Sequence, residues 1–379
     1  MPSLPGPGEL GVVPVIETHP RLSVSECEGA DAPRALEELV RSAVAAGASD
    51  IHLQGGTEAV EIAWRLDGVL VAAGKLGRDL GERLVGRVKY LARLRTYQDA
   101  QPQDGRIAGS DLGVPGDLRV STYPTVAGEK VVLRLFRATD ATTLEDLGFP
   151  APALESLARA VSQPAGLILF TGPAGSGKST TVHACLRRLA GSGRHVITVE
   201  DPVEQVLPGV MQTEVNIARG LSYPEAVRHL LRQDPQVLML GEIRDAETAG
   251  LVVRAAMTGH LVISTLHAGS CRGVLERLLL MERDAFAVAS GLSLIANQRL
   301  VRRACIPCGG SGCDGCRGTG YRGRLPLVEL LPIDDALGRE LRAGRVGNPV
   351  VSPTLRDTGE WLVGSGRTTR AELERVLGI

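Results

Sequence analysis

Gly172-Pro173-Ala174-Gly175-Ser176-Gly177-Lys178-Ser179, followed by Thr180, is the stretch that decides the fold. It matches G-x-x-x-x-G-K-[ST] without a gap, and its surroundings agree. The apolar run Gly166–Phe170 precedes it and helix-forming residues through Leu189 follow. Strand, loop and helix in that order let successive backbone N–H groups and a helix N-terminus surround a phosphate. Glycines are needed because a Cβ would block close backbone approach or forbid the backbone angles. Lys178 is placed to contact the β- and γ-phosphates of ATP, and Ser179 to offer a hydroxyl to Mg²⁺.

Outward from this loop the pattern is of short apolar runs separated by helices. His195–Val199, Val237–Leu240 and Leu261–Ser264 read as buried parallel strands, which with Gly166–Phe170 predict an α/β sheet domain. Two of these runs end in acids. Val237-Leu-Met-Leu240 leads to Gly241-Glu242, and Thr198-Val199 leads to Glu200-Asp201. A carboxylate at such a strand end can hold Mg²⁺ through water or take a proton from an attacking water. The plainer use of either acid is a helix cap or an arginine pair.

Upstream, Leu36, Leu39, Val40 and Val44 follow helical spacing and Gly47 is a stop signal. Val60, Ile62, Trp64 and Leu66 alternate with polar or small residues, and Asp67-Gly68 turns the chain into Val69-Leu-Val71. A helical stretch over Leu80–Tyr97 and strands over Leu118–Tyr123 and Lys130–Phe136 complete a small α+β domain. The domain plan is a Pro/Gly-rich tail (1–30), the small domain (31–138), a linker (139–150) and an ATPase domain (151–379) that includes the cysteine loop.

Cys305-Ile-Pro-Cys308 and Cys313-Asp-Gly-Cys316 are two C-x-x-C knuckles joined by Gly-Gly-Ser-Gly. Four thiolates suit a closed, structural Zn²⁺ site; disulfides or an iron–sulfur cluster are the rival uses. Composition is ordinary for a globular chain of 379 residues, 44% hydrophobic and 22% charged, with 42 basic against 43 acidic side chains. That balance, with 3% aromatics, argues against a nucleic-acid partner. No apolar run approaches membrane-span length and no basic-then-apolar leader stands at the front, so a cytoplasmic chain is expected.

Several segments resemble the ATPases of type II secretion and type IV pilus assembly. Ile197-Thr-Val-Glu-Asp-Pro-Val-Glu204 is similar to their Asp box, Arg232–Asp245 to their Walker B segment, and Thr258–His267 to their His box. Ala48–Leu53, Pro102–Arg106 and Arg119–Thr125 resemble segments of their second N-terminal domain, in collinear order. The resemblance implies a RecA-like ATPase domain preceded by a PAS-like small domain. It implies Glu242 as the acid serving Mg²⁺ and water, Glu200 as its neighbour, and His267 and His260 as residues bordering a central strand, His267 sensing the γ-phosphate, with a packed core histidine the plainer use of His260. Arg119 and Arg134, and more weakly Arg106, match arginines that reach the nucleotide from the small domain; a strand-edge salt bridge is the alternative.

It further implies a homo-hexamer that acts on an inner-membrane platform protein, meets the membrane only through partners, and extrudes pilin-like subunits. The tetracysteine loop followed by Gly320-Tyr-Arg-Gly-Arg324 is similar to assembly-type rather than retraction-type members. Departures are Gln236 where the family has Asp, Trp64 where it has Arg before Arg65, and a tail where many relatives carry a further domain. A nucleic-acid motor and a non-hydrolysing nucleotide-binding scaffold are the readings from other classes. DNA-stimulated hydrolysis would favour the first and absent phosphate release the second.

Overall fold

The computed structural model describes residues 31–97, 100–135 and 142–379; the tail expected over 1–30 and the first linker residues lie outside these. Chain contacts define two compact units. One holds the described residues up to Thr139 together with Cys305–Gly323, the other Asp140–Ala304 with Arg324–Ile379.

The small unit is an antiparallel sheet in the order β3-β2-β1-β6-β5-β4. Its strands are β1 (Ala48–Gly55), β2 (Ala59–Leu66), β3 (Val69–Gly77), β4 (Gln103–Ile107), β5 (Leu118–Thr125) and β6 (Gly128–Leu135). Helix α1 (Ala32–Ala46) starts where the Asp31 carboxylate accepts from Arg34 N at 3.0 Å and ends at Gly47, whose φ is 80°. Its buried residues Ala35, Leu36, Leu39, Val40 and Ala43 form the stripe expected of 3.6-residue periodicity. Asp67 and Gly68 both have positive φ, as a two-residue type I′ hairpin demands. Helix α2 (Arg78–Leu91) is shorter than the sequence suggests, because Arg93 takes φ 58° and turns the chain out of the helix. Both helices contribute to one apolar core with the inward side chains of the sheet.

The cysteine loop, placed by sequence with the ATPase domain, groups with this small unit. Arg317 Nη2 donates to Ala45 O at 3.0 Å and Gly323 N to the Asp67 carboxylate at 2.8 Å. Glycine-rich connections let it leave one strand and return in the next while packing elsewhere.

The larger unit is built on a seven-stranded sheet in the order β13-β12-β7-β11-β10-β8-β9, parallel from β12 to β9. The strands are β7 (Gly166–Thr171), β8 (Val196–Glu200), β9 (Val210–Glu214), β10 (Val237–Leu240), β11 (Leu261–Thr265), β12 (Leu292–Ala304) and β13 (Tyr321–Pro332). Strands β7, β8 and β10 are buried at every position, which is why they read as unbroken apolar runs. Helices α3 (Ala151–Ser162) and α4 (Lys178–Gly191) help form one core; α5 (Tyr223–Leu230), α6 (Ala246–Met257), α7 (Cys271–Met281) and α8 (Ala285–Gly291) help form the other. After α9 (Asp335–Arg342), helices α10 (Leu355–Gly364) and α11 (Arg370–Leu377) close over the end of β12. No helix among the described residues is long and apolar enough to cross a membrane.

One ion-pair network pins α11 to β12. The buried Glu372 carboxylate accepts from Arg302 N, Nε and Nη2 and from Arg375 Nε and Nη2, at 2.7–3.0 Å. Burial alone would raise its pKa, but these donors outweigh it and pull the carboxyl down to about 2. Because the folded pKa lies below the unfolded one, this stability is present above about pH 4.5 and is lost as pH falls toward 2. Glu372→Gln is expected to cost about 3 kcal/mol at pH 7, the scale of breaking a buried pair. Denaturant melts should show that difference at pH 7 and its disappearance near pH 2.

Candidate nucleotide-binding site

Parallel strands direct their C-terminal ends to one edge of the sheet, and the residues that follow those ends converge there. The phosphate-loop segment follows β7, Glu200 ends β8, Glu242 comes two residues after β10, and His267 two after β11. His260 is not among them. It stands at the start of β11, with Nδ1 3.0 Å from Ala255 O and its own carbonyl accepting from Gly166 N, at the opposite end of the sheet. His260 and His267 thus border opposite ends of the same central strand, and the parallel direction of β7 and β11 sets His260 away from this chain's own loop.

The loop is shaped by two glycines at which any side chain would be strained. Gly172 has φ 138°, and a Cβ there would lie 2.3 Å from Gln298 O; Gly177 has φ 87°, and a Cβ would lie 2.7 Å from Gln298 Nε2. Pro173, Ala174, Gly175 and Ser179 are exposed, and Thr180 is partly buried at the start of α4. Ser176 Oγ is buried without a hydrogen-bond partner. Gln298, which the sequence reading did not single out, braces the loop from β12. Its Nε2 donates to Ser176 O at 2.9 Å and its Oε1 accepts from Thr181 Oγ1 at 3.0 Å.

Lys178 Nζ folds back on the loop, donating to Gly172 O at 2.8 Å and Pro173 O at 2.9 Å. Burial and the charge of Arg299 hold its pKa below the usual lysine range, with Glu242 opposing them. An anion over the loop would relieve both.

Glu242 has both oxygens engaged. Arg244 Nε donates to Oε1 at 2.7 Å, and His267 Nε2 lies 3.4 Å from Oε2. Arg244 also pairs with Asp201 at 3.3 Å and stands 5.9 Å from the Tyr223 ring centre. Glu200 is buried, 4% exposed, and accepts from Thr198 Oγ1 at 2.6 Å and Gln212 Nε2 at 2.9 Å. His183 Nε2 is 3.9 Å from its other oxygen. Burial pushes Glu200 up, but these three neighbours prevail and hold it below the usual carboxylate range. His183 lies four residues after Ser179, so both share one face of α4. Serine hydroxyl and carboxylate oxygens of this kind are the hard donors that Mg²⁺ takes. Gln236, a departure from the family pattern, accepts from His195 N at 2.9 Å at the far end of β10.

The small unit carries a second feature. Cross-strand register aligns Arg106, Arg119, Arg134, Asp50 and Arg65 in one row over five strands. Asp50 receives Arg134 Nε at 3.0 Å and Arg65 Nε at 3.4 Å. Beside this row is a groove of about 460 Å³ lined by Asp104, Arg106, Arg119, Ser121, Val132 and Arg134.

The four cysteines of the 305–316 loop come together. All four Sγ atoms lie within 4.8 Å of one another, with Cys305–Cys313 and Cys308–Cys316 at 3.8 Å and Cys313–Cys316 at 3.7 Å. Backbone amides face the sulfurs: Gly312 N is 3.3 Å from Cys308 Sγ, and Cys313 N and Gly320 N are 3.1 and 3.3 Å from Cys316 Sγ. Burial opposes ionisation, but amides of this loop and neighbouring sulfurs bring the Cys308 thiol down to about 6. Cys305 moves the other way, pushed up to about 12 by burial and by the neighbouring sulfurs of Cys308 and Cys313, so the four sulfurs hold their protons unevenly.

Comparison with known proteins agrees with this geometry. The family described as "Type II/IV secretion system protein" matches residues 27–375. The chain is 40% identical to the type II secretion system protein HxcR of Pseudomonas aeruginosa, over 92% of this chain and 78% of that one. It is 39% identical to the type II secretion system ATPase E of Vibrio cholerae, covering 91% and 76%. It is 37% identical to the type IV pilus assembly ATPase PilB of Thermus thermophilus, covering 92% of this chain but 43% of that longer protein. The pilus retraction motor PilT with bound ADP superposes with a TM-score of 0.60 at 26% identity, over 89% and 96%. DotB of Legionella pneumophila shares the fold, with a TM-score of 0.69 at 21% identity over 91% and 96%. With a phosphate loop beside strand-end acids on a parallel sheet and these matches along nearly its whole length, the chain is an ATPase of the type II/IV secretion system protein family.

Proposed function

We propose that this chain is the ATP-hydrolysing motor of a type II secretion machine, driving assembly of a pseudopilus and with it protein export. The observation that carries the proposal is the convergence of Lys178, Ser179 and Glu242 at one edge of the parallel sheet. Lys178 takes the β- and γ-phosphates once nucleotide displaces it from the loop carbonyls. Glu242, held by Arg244 and His267, orients the attacking water and accepts its proton, while His267 meets the γ-phosphate. Bound Mg²⁺ supplies charge neutralisation between the phosphates, held by Ser179 with the acids Glu242 and Glu200 near. Arg119 and Arg134, cross-strand neighbours on β5 and β6, supply cationic contacts to nucleotide from the small domain.

The four sulfurs fit zinc. A tetrahedral ion with Zn–S bonds of about 2.3 Å sets sulfurs about 3.8 Å apart, close to the spacings found. Four thiolates leave no open position, so the ion's part is structural. The loop favours an extruding motor over a retracting one. The working unit is a homo-hexamer at the cytoplasmic face of the inner membrane, acting on a platform protein, with membrane contact through partners. Type IV pilus assembly is the second reading, supported by the likeness to PilB.

Phosphate release by the purified ring tests the motor. Lys178→Ala is expected to reduce it by about 100-fold or more, since it removes the cation of the loop. Secretion of type II cargo by cells lacking the chain, restored by wild type and not by that variant, separates secretion from pilus assembly. Turnover in the lysine variant equal to wild type would contradict the nucleotide site.

A further inference from the structure

Arg299 lies on β12 next to Gln298 and is not part of the loop motif, yet it sits against the first glycine of that loop. A Cβ placed on Gly172 would meet Arg299 Nη1 at 3.2 Å, so the guanidinium flanks the same residue whose carbonyl holds Lys178 Nζ. The arginine is held entirely by neutral oxygens. Nη1 donates to Asn297 Oδ1 at 2.7 Å and Gln298 O at 3.0 Å, and Nη2 to Gly269 O at 3.1 Å. Among the described residues no carboxylate stands within ion-pairing distance. The acid whose field it feels, Glu329, instead accepts from Cys271 N at 2.9 Å.

Two cations thus converge on Gly172 without an anion between them, and each lowers the cost of bringing a phosphate there. Gly269 adds a second link. It is two residues past His267, in the segment that Thr171 also holds, through Ala268 O at 2.9 Å and Ala268 N at 3.0 Å. One guanidinium therefore flanks the start of the phosphate loop while bonding the segment leaving β11.

We propose that Arg299 is a phosphate-contacting residue of the nucleotide site, reading the terminal phosphate of ATP and passing its presence to the 267–269 segment. The inference rests on the nucleotide reading above. Its fork geometry suits two phosphate oxygens, and rotating toward a ligand costs it only bonds to neutral acceptors. On loss of the terminal phosphate it returns to Gly269 O.

The test compares a non-hydrolysable ATP analogue with ADP, both with Mg²⁺, on purified protein. Arg299→Ala is expected to weaken the analogue about 10-fold or more, the scale of a charged hydrogen bond, and ADP by less than about threefold. Turnover should fall by at least about 10-fold. Arg299→Gln retains a donor for Gly269 without the charge, and it should lose the same analogue preference even if the alanine variant proves unstable. Equal weakening of both nucleotides, or wild-type preference in the glutamine variant, overturns the proposal. Lys178→Ala is the control: unaltered nucleotide binding there would sink the site itself, whereas its loss beside an unaffected Arg299→Gln sinks only this inference.

Discussion

Replacing Glu242 with glutamine is expected to leave ATP binding within about threefold of wild type and to cut turnover by about 100-fold or more, the usual yield of a positioned general base. The amide is almost the same size and can still accept from Arg244, so the cluster with Asp201 should keep its shape. What it cannot do is take a proton. Single-turnover phosphate release, set beside nucleotide binding measured separately, distinguishes lost chemistry from lost affinity. Turnover equal to wild type in the assembled ring would refute the general-base role and favour a scaffold that binds nucleotide. Steady hydrolysis by Glu200→Gln alongside a dead Glu242→Gln would rank the two acids. Glu200 is the more buried and is already committed to Thr198, Gln212 and His183.

Replacing Cys308 with serine is expected to release about one zinc ion per chain and to destabilise the small unit, with the nucleotide loop of the larger unit retaining its ligand. Structural zinc contributes about 10 kcal/mol or more in isolated metal-folded peptides, so most of the loop's order should depend on the ion. The effect should spread because the loop is tied to α1 through Arg317 and Ala45 O, and to the β2–β3 turn through Gly323 and Asp67. Metal analysis and denaturant melts of wild type and variant decide it. Freshly purified wild type without zinc overturns the assignment, and a variant that loses zinc without any change in the melt overturns the structural role. The Sγ spacings of 3.7–3.8 Å favour a metal over a disulfide, whose sulfurs lie about 2 Å apart.

How much of the fold is legible in the sequence depends on the range of the forces involved. The phosphate loop was legible because its glycines answer to local backbone angles, and the Asp67-Gly68 hairpin for the same reason. Strands β7, β8, β10 and β11 are legible because burial on both faces makes most of their residues apolar. Strand β9 is not: as an edge strand it mixes Gln212 and Glu214 with half-buried residues. The long β12–β13 pair was also missed, since its arginines read as surface while Glu372 and neutral oxygens satisfy them from elsewhere.

Sequence alone settled which groups could do chemistry: a loop that must admit phosphate, acids at strand ends, and four cysteines at metal spacing. Tertiary structure alone decided their company. It brought Gln298 and Arg299 from β12 to the loop, joined Arg244 and His267 on Glu242, sent His260 to the far end of the sheet, and packed the cysteine loop on α1. The reason is physical. Backbone angle and burial leave their mark on the residues that obey them, whereas a contact across more than a hundred positions depends on strand order, which no local stretch of sequence records.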